Sequence, residues 1–106
     1  MQPRRTRLII ASLILCAIAT PVRAATIQII MENLEIKPAE VSAKVGDTVE
    51  WVNKDVLAHT ATARNGDFDV MLPPKQTASF VVKKTGTVDY FCRYHPNMKA
   101  VLKIEP

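Results

Sequence analysis

The sequence predicts an all-β domain, built as a two-sheet sandwich or a barrel, behind a cleavable N-terminal signal peptide. Three observations support this fold class: apolar and polar residues alternate in short runs, turn-forming residues separate those runs, and helical periodicity is hard to find. Six to eight short strands at this spacing are typical of sandwiches and barrels. The composition is even from residue 25 to the end, so we expect a single domain.

Residues 1–24 have the three-part layout of a secretory signal peptide. Residues 1–7 are basic, residues 8–19 form a short apolar run, and small residues precede a cleavage position after Ala24. The apolar run is too short to cross a membrane comfortably, although a retained membrane anchor is the alternative. We therefore expect residues 25–106 to form an exported, periplasmic domain, delivered by the general or the twin-arginine route.

Charge and cysteine content restrict the function classes further. The chain carries 14 basic and 10 acidic residues, but four of the basic residues and none of the acidic ones lie in the leader. The mature domain is therefore formally neutral, and no basic stripe remains that would favour nucleic-acid binding. It keeps one cysteine, Cys92, which in an oxidising compartment must be buried, paired with another chain or bound.

Each predicted strand places its apolar residues on one side. In chain order, these inward sets are Ile27, Ile29 and Met31; Val49 and Trp51; Ala78, Phe80 and Val82; Val88, Tyr90 and Cys92; and Leu102 and Ile104. Turn residues separate the strands at positions 37–38, 45–47, 53–55, 65–67, 73–74 and 85–86. The sequence allows two positions for Met71: in the core, or in a surface patch near the segment that contains Cys92 and His95.

Cys92, His95 and Met98 follow one another at intervals of three residues. Because Cys92 continues the inward set of its strand, its sulfur should point into one end of the fold, and the segment RYHPNM should form a loop leading to the last strand. His59, the other histidine of the mature chain, follows a turn that can lie at the same end. The sequence therefore predicts a metal site of His59, Cys92, His95 and Met98.

The donor types favour one copper ion that alternates between Cu(I) and Cu(II). Two imidazoles and a thiolate with a weak axial thioether are typical of electron-transfer copper sites. Zinc is the competing metal, but thioether is not one of its usual ligands. A catalytic pair of Cys92 with His59 or His95 is a further alternative, yet the sequence shows no third orienting group, and we expect no enzyme activity.

At these residues the sequence resembles the cupredoxins, the small blue copper proteins, and most closely their amicyanin-like plastocyanin/azurin family. The resemblance rests on the segments VGDTVEWVNKD, HTATA, GDFD and GTVDYFCRYHPNM, and the short loop from Cys92 to Met98 indicates the amicyanin branch. It implies a Greek-key β-sandwich that carries single electrons in the periplasm, with copper held by His59, Cys92, His95 and Met98. Thr60 stands where other branches often have asparagine.

The resemblance also implies transient electron-donor and electron-acceptor proteins as partners. Apolar residues near His95, with Leu57, Met71 and Pro96 among them, would form the docking patch. We expect a monomer with no membrane span in the mature chain. Copper storage or delivery is the alternative function, although a buried thiolate and a single methionine favour retention of the metal.

Overall fold

The computed structural model describes Gln2 and residues 23–106, and in this part of the chain nine strands form two sheets. The strands are β1 (Thr26–Glu32), β2 (Glu35–Lys37), β3 (Glu40–Lys44), β4 (Thr48–Asn53), β5 (His59–Ala63), β6 (Asp69–Leu72), β7 (Thr77–Val81), β8 (Gly86–Cys92) and β9 (His95–Glu105). The all-β prediction is confirmed. Of the proposed leader, only Gln2, Arg23 and Ala24 lie within the described residues. In the whole part of the chain that the structure describes, no helix is long and apolar enough to cross a membrane.

The first sheet has the order β2-β1-β4-β7 and the second has the order β3-β9-β8-β5-β6. Two neighbouring pairs are parallel, β1 with β4 and β3 with β9, and the other pairs are antiparallel. The expected number of strands, six to eight, was too low because β2 and β3 are short strands separated by only two residues. Neither is long enough to show a clear alternating pattern by itself.

The core lies between the sheets and contains the predicted inward residues. Trp51 on β4 is fully buried, and its indole Nε1 donates a hydrogen bond to the hydroxyl of Tyr90 on β8, at 3.3 Å. The ring of Phe68 packs against both of these aromatic rings. One polar contact and a three-ring cluster therefore join the two sheets at the centre of the domain.

Two local predictions need correction. The loop after Cys92 is shorter than expected, since β9 begins at His95 and Cys92 pairs directly with His95 next to a shift of register. Met71 does not fill the core: its side chain is 47% exposed, whereas the adjacent Leu72 is fully buried. Successive side chains of a strand point to opposite faces, so burial of Leu72 turns Met71 outward.

The two ends of the sandwich have different roles. Thr26, at the start of β1, pairs with Thr48 at the start of β4, so the chain enters at the end opposite to His59. At that entry end, the carboxylate of Asp47 accepts a hydrogen bond from the backbone N–H of Ala25, at 2.9 Å. It also accepts one from the N–H of Lys44, at 2.8 Å. These bonds anchor the first strand to the turn before β4.

Candidate metal centre

Three strand ends bring the candidate ligands together. Cys92 is the last residue of β8, His59 is the first residue of β5, and His95 is the first residue of β9. Both β5 and β9 are neighbours of β8 in the second sheet. Because the strands are antiparallel to β8, their first residues lie at the end of the sheet where β8 finishes.

The donor atoms of these residues form a nearly equilateral triangle. The Nδ1 atoms of His59 and His95 are 3.2 Å apart. The sulfur of Cys92 lies 3.7 Å from Nδ1 of His59 and 3.6 Å from Nδ1 of His95. His59 and Cys92 are fully buried and His95 is half-buried, so the triangle is closed on the core side and reaches solvent through His95.

A triangle of this size fits a transition-metal ion. The point equidistant from the three atoms lies about 2.0 Å from each of them, close to ordinary metal–nitrogen bonds of about 2.0–2.1 Å and metal–sulfur bonds of about 2.3 Å. The two imidazole rings are inclined at 75° to each other, with their centroids 5.0 Å apart. The side chains therefore fit a metal ion without a change of conformation.

Asp55 orients the ring of His59. One oxygen of its carboxylate lies 2.7 Å from Nε2 of His59. If that nitrogen carries the proton and donates it to the carboxylate, then Nδ1 keeps its lone pair and is free to bind a metal. The contact thus selects the tautomer that a ligand needs, and it prevents rotation of the buried ring.

The carboxylate of Asp55 is itself held in place. It accepts hydrogen bonds from the backbone N–H groups of Asn33 and Leu34, at 2.8 and 3.1 Å. Partial desolvation acts to raise the pKa of Asp55, but the hydrogen bonds from His59 and from these two amides outweigh it and hold the pKa below 3.8. Asp55 is therefore charged at neutral pH and remains a strong acceptor for His59.

Asn53 shapes the turn that carries Asp55 and His59. Its buried side-chain amide donates to the carbonyl of Leu57 at 2.8 Å, and its Oδ1 accepts the N–H of Asp55 at 2.9 Å. The same amide nitrogen lies 3.1 Å from the carbonyl oxygen of Leu72 on β6. The turn between β4 and β5 therefore has a fixed shape before any metal binds.

Thr60 connects the His59 segment to the Cys92 segment. Its backbone N–H points at the sulfur of Cys92, at 3.4 Å, and its side-chain oxygen accepts the N–H of Arg93, at 2.9 Å. This N–H can donate to the sulfur when the sulfur binds a metal as a thiolate.

Met98, the fourth predicted ligand, is buried on β9 with 2% of its surface exposed. It is the first inward residue of β9, as Cys92 is the last inward residue of β8. Regular continuation of the pairing of Phe91 with Lys99 would place Met98 opposite Cys92, but the shift of register lies at this step. Met98 is thus the first buried side chain of β9 after the half-buried His95.

Sequence reasoning missed the two residues that orient His59, namely Asn53 and Asp55. It assigned both to a turn, where asparagine and aspartate are common for local reasons. The available signal was a carboxylate four residues before a candidate histidine ligand, because metal-binding histidines usually donate their second N–H to a carboxylate or a carbonyl.

Comparison with known proteins gives the same picture. The family model described as "Cupredoxin-like domain" matches residues 6–104. Amicyanin-alpha of Methylorubrum extorquens is 32% identical over 88 residues, covering 77% of this chain and 74% of the relative. Amicyanin of Paracoccus versutus is 29% identical over 93 residues, covering 82% of this chain and 70% of the relative. The crystal structure of amicyanin from Paracoccus versutus superposes with a TM-score of 0.66 at 30% identity, covering 80% of this chain and 84% of that one.

The family match spans nearly the whole chain, and the solved structure shares its fold. Cupredoxins bind a copper ion, and they transfer electrons instead of catalysing reactions. The triangle of His59, Cys92 and His95 has the donor types that suit copper. The chain therefore belongs to the cupredoxin-like domain family and is an amicyanin-like member of it, an electron carrier and not an enzyme.

Proposed function

We propose that this protein is a periplasmic type 1 copper protein that carries one electron at a time between two redox partner proteins. His59, Cys92, His95 and Met98 are its copper ligands in this proposal. The observation that carries it is the triangle of one sulfur and two imidazole nitrogens, with edges of 3.2–3.7 Å, at one end of a β-sandwich.

The type of donor supports copper over zinc. The bound ion would alternate between Cu(II) and Cu(I), which zinc cannot do. The fourth ligand in this proposal is the buried thioether of Met98, a poor zinc ligand but a usual axial ligand of blue copper. A thiolate, two imidazoles and a thioether would also suit neither oxidation state fully, so few atoms would need to move when an electron is transferred.

The protein supplies rigidity and exclusion of water. The Asp55 contact, the Asn53 turn and the Thr60 hydrogen bonds hold the ligands, while burial of Cys92 keeps oxidants away from its sulfur. The half-buried ring of His95 is the ligand nearest to solvent and is the exit route for the electron in this proposal. Every buried side-chain nitrogen or oxygen among the described residues has a hydrogen-bond partner, as expected for a preformed site.

Exposed apolar residues lie close to the candidate ligands in the chain, or in the sheet in the case of Met71, which pairs with Thr60. We define the apolar patch as Val56, Leu57, Met71, Tyr94 and Pro96, all of which are exposed, with Val56 at 76%. Exposed apolar side chains grouped at one place mark interaction surfaces more often than scattered ones do. A small patch suits brief encounters, which is what an electron carrier with two partners requires.

The test is to add Cu(II) to the purified mature chain and record visible absorption and EPR spectra. We expect an intense blue colour with a small copper hyperfine splitting, lost on addition of ascorbate and restored by an oxidant. The Cys92→Ser variant is the matched control and should stay colourless. A wild-type chain that binds zinc and copper equally well without colour would contradict the proposal.

Two further measurements address retention of the metal and location. Titration of the loaded protein with a Cu(I) chelator should remove copper slowly, whereas rapid loss would favour copper delivery to other proteins. The N-terminus of the protein recovered from the periplasm of an expressing bacterium should be Ala25. Recovery in the membrane fraction with residues 1–24 still attached would favour a retained anchor.

A further inference from the structure

Four residues beside the candidate metal centre form a closed ring of polar contacts, made by their side chains and one backbone N–H. The backbone N–H of Arg93 donates to the side-chain oxygen of Thr60, and this oxygen lies 2.8 Å from the side-chain oxygen of Thr62. The hydroxyl of Thr62 donates to Oδ1 of Asp69 at 2.8 Å, and the other carboxylate oxygen lies 3.2 Å from the guanidinium of Arg93. We call these four residues the threonine ring.

Counting protons determines the direction of every bond in the threonine ring. A carboxylate only accepts, so the single hydroxyl proton of Thr62 is used on Asp69. Thr60 must then be the donor in its contact with Thr62. The bonds therefore run one way, from the N–H of Arg93 through two hydroxyls to Asp69, and the negative charge at the end polarises each bond before it.

The threonine ring joins three elements next to the ligands. Thr60 and Thr62 belong to β5, Asp69 belongs to β6, and Arg93 lies in the turn between β8 and β9. Thr60 follows His59 directly, and Arg93 follows Cys92 directly. A shift of the Arg93 backbone would therefore move the sulfur, whereas a shift of Thr60 would move both the imidazole and the N–H that points at the sulfur.

The threonine ring differs from an ordinary surface salt bridge. The side chains of Arg93 and Asp69 are 45% and 52% exposed, and an exposed pair of this kind adds little stability by itself. Thr60, however, is fully buried, so the inner part of the ring is shielded from water. The guanidinium also lies 3.6 Å from the sulfur of Met71, which keeps it along the sheet surface.

We infer that Thr62, Asp69 and Arg93 are positioning residues that act through Thr60 to hold the turn carrying Cys92 and His95. The inference rests on the proposed copper function, and it assigns a role to residues that touch neither the metal nor its ligands' donor atoms. The ring fixes the distance between the His59 segment and the Cys92 segment, so a break in it loosens the triangle.

The test compares Thr62→Val with Thr62→Ser. Valine keeps the shape of threonine but leaves the hydroxyl of Thr60 without its acceptor, whereas serine restores the bond. In the metal-free protein, we expect amide hydrogen exchange at Arg93 to be at least about fivefold faster in Thr62→Val, because the variant removes the contacts of Thr62 with both Thr60 and Asp69. Thr87→Val, an exposed substitution elsewhere in the same sheet, is the matched control and should leave exchange at Arg93 unchanged.

A second readout separates positioning from general stability. We expect Thr62→Val to change the copper hyperfine splitting in the EPR spectrum of the Cu(II) protein, with Thr62→Ser returning to the wild-type spectrum. Asp69→Ala, which removes the exposed end of the ring, should change both readouts in the same direction. Wild-type spectra in both Thr62→Val and Asp69→Ala would overturn the inference, as would a failure of serine to restore them.

The two hypotheses fail in different ways. A wild-type chain that forms no blue site contradicts the copper function, and exchange at Arg93 in the metal-free protein still decides whether the threonine ring holds the turn. A wild-type chain that turns blue, combined with unchanged exchange in Thr62→Val, contradicts the threonine ring alone.

Discussion

At the scale of single residues, Asp55 has more influence on the site than its position in a turn suggests. It contacts Nε2 of His59, and it is fixed by two backbone amides from the turn between β1 and β2. The orientation of one candidate ligand therefore depends on a segment of the first sheet, although the ligands themselves belong to the second sheet.

We predict that Asp55→Asn weakens copper binding about 10- to 100-fold, the usual effect of losing a charged partner of a metal-binding histidine. The neutral amide accepts less strongly from His59, so it favours the tautomer with a free Nδ1 less than the carboxylate does. Competition with a chelator of known affinity measures the change. Asp89→Asn, at an exposed position, is the control, and equal affinities of the two variants would refute this role of Asp55.

The identities of the candidate ligands were accessible from the sequence, whereas their supporting residues were not. His59, Cys92 and His95 are the only histidines and cysteine of residues 25–106, so residue type alone selected them. Thr62 and Asp69 have no comparable signal, because threonine and aspartate are common and Arg93, which pairs with Asp69, is more than twenty residues away. Only the register of β5 against β6 and β8 brings them together.

At the scale of secondary-structure elements, alternation predicted the long strands correctly. The inward residues of β1, β4, β8 and β9 follow a strict period of two. The short strands β2 and β3 escaped notice because three to five residues hold too few repeats. The start of β9 was also missed. The pairing of Cys92 with His95 follows from a shift of register, and this shift does not show in the alternation of apolar and polar residues.

We predict that Tyr90→Phe destabilises the metal-free protein by about 1–3 kcal/mol, the cost of leaving a buried donor unpaired. The substitution keeps the aromatic packing but removes the acceptor for Nε1 of Trp51. Burial raises the pKa of Tyr90 to about 12, so the hydroxyl stays protonated and the contact persists at neutral pH. Urea unfolding at pH 7 measures the change in free energy.

A double-mutant cycle with Trp51→Phe tests whether this cost comes from the contact between the sheets. The two substitutions should be less than additive if the hydrogen bond is the source, because either one alone already removes it. Additive effects would mean that the loss in free energy of unfolding comes from packing and not from the hydrogen bond.

At the scale of the whole molecule, the two ends of the sandwich are separated in function. The candidate ligands and the apolar patch lie at one end, and the chain enters at the other. Copper would therefore stabilise a part of the fold that the entry segment does not touch.

We predict that copper raises the unfolding temperature in a concentration-dependent manner. Free copper at 1,000 times its dissociation constant would add about 4.1 kcal/mol if only the folded state binds it. Calorimetry of the chain with and without the metal measures the shift, and Cys92→Ala should show little of it. An unchanged melting temperature in the wild-type chain, at copper levels that saturate its colour, would contradict a preformed site.

The contact between Asp47 and Ala25 at the entry end would change when the leader is removed. Hydrogen bonds from the N–H groups of Lys44 and Ala25 hold the pKa of Asp47 below 3.8, so its carboxylate is charged at neutral pH. Removal of the leader after Ala24 would convert the Ala25 amide, 2.9 Å from Oδ1, into a positively charged ammonium group. Cleavage by the peptidase would thereby also create a charge-assisted hydrogen bond between the new N-terminus and Asp47, next to the first strand.

A chain beginning at Ala25 should accordingly unfold at higher temperature than the same chain with its N-terminus acetylated. The advantage should fade as the pH rises through the pKa of the amine, ordinarily about 7.7–8.0. It should fade also as the pH falls through the lowered pKa of Asp47, where the carboxylate becomes neutral. Equal unfolding temperatures of the two chains at pH 6 would contradict this ion pair. A higher temperature for the free N-terminus would mean that cleavage of the leader both releases the protein and makes it more stable than its precursor.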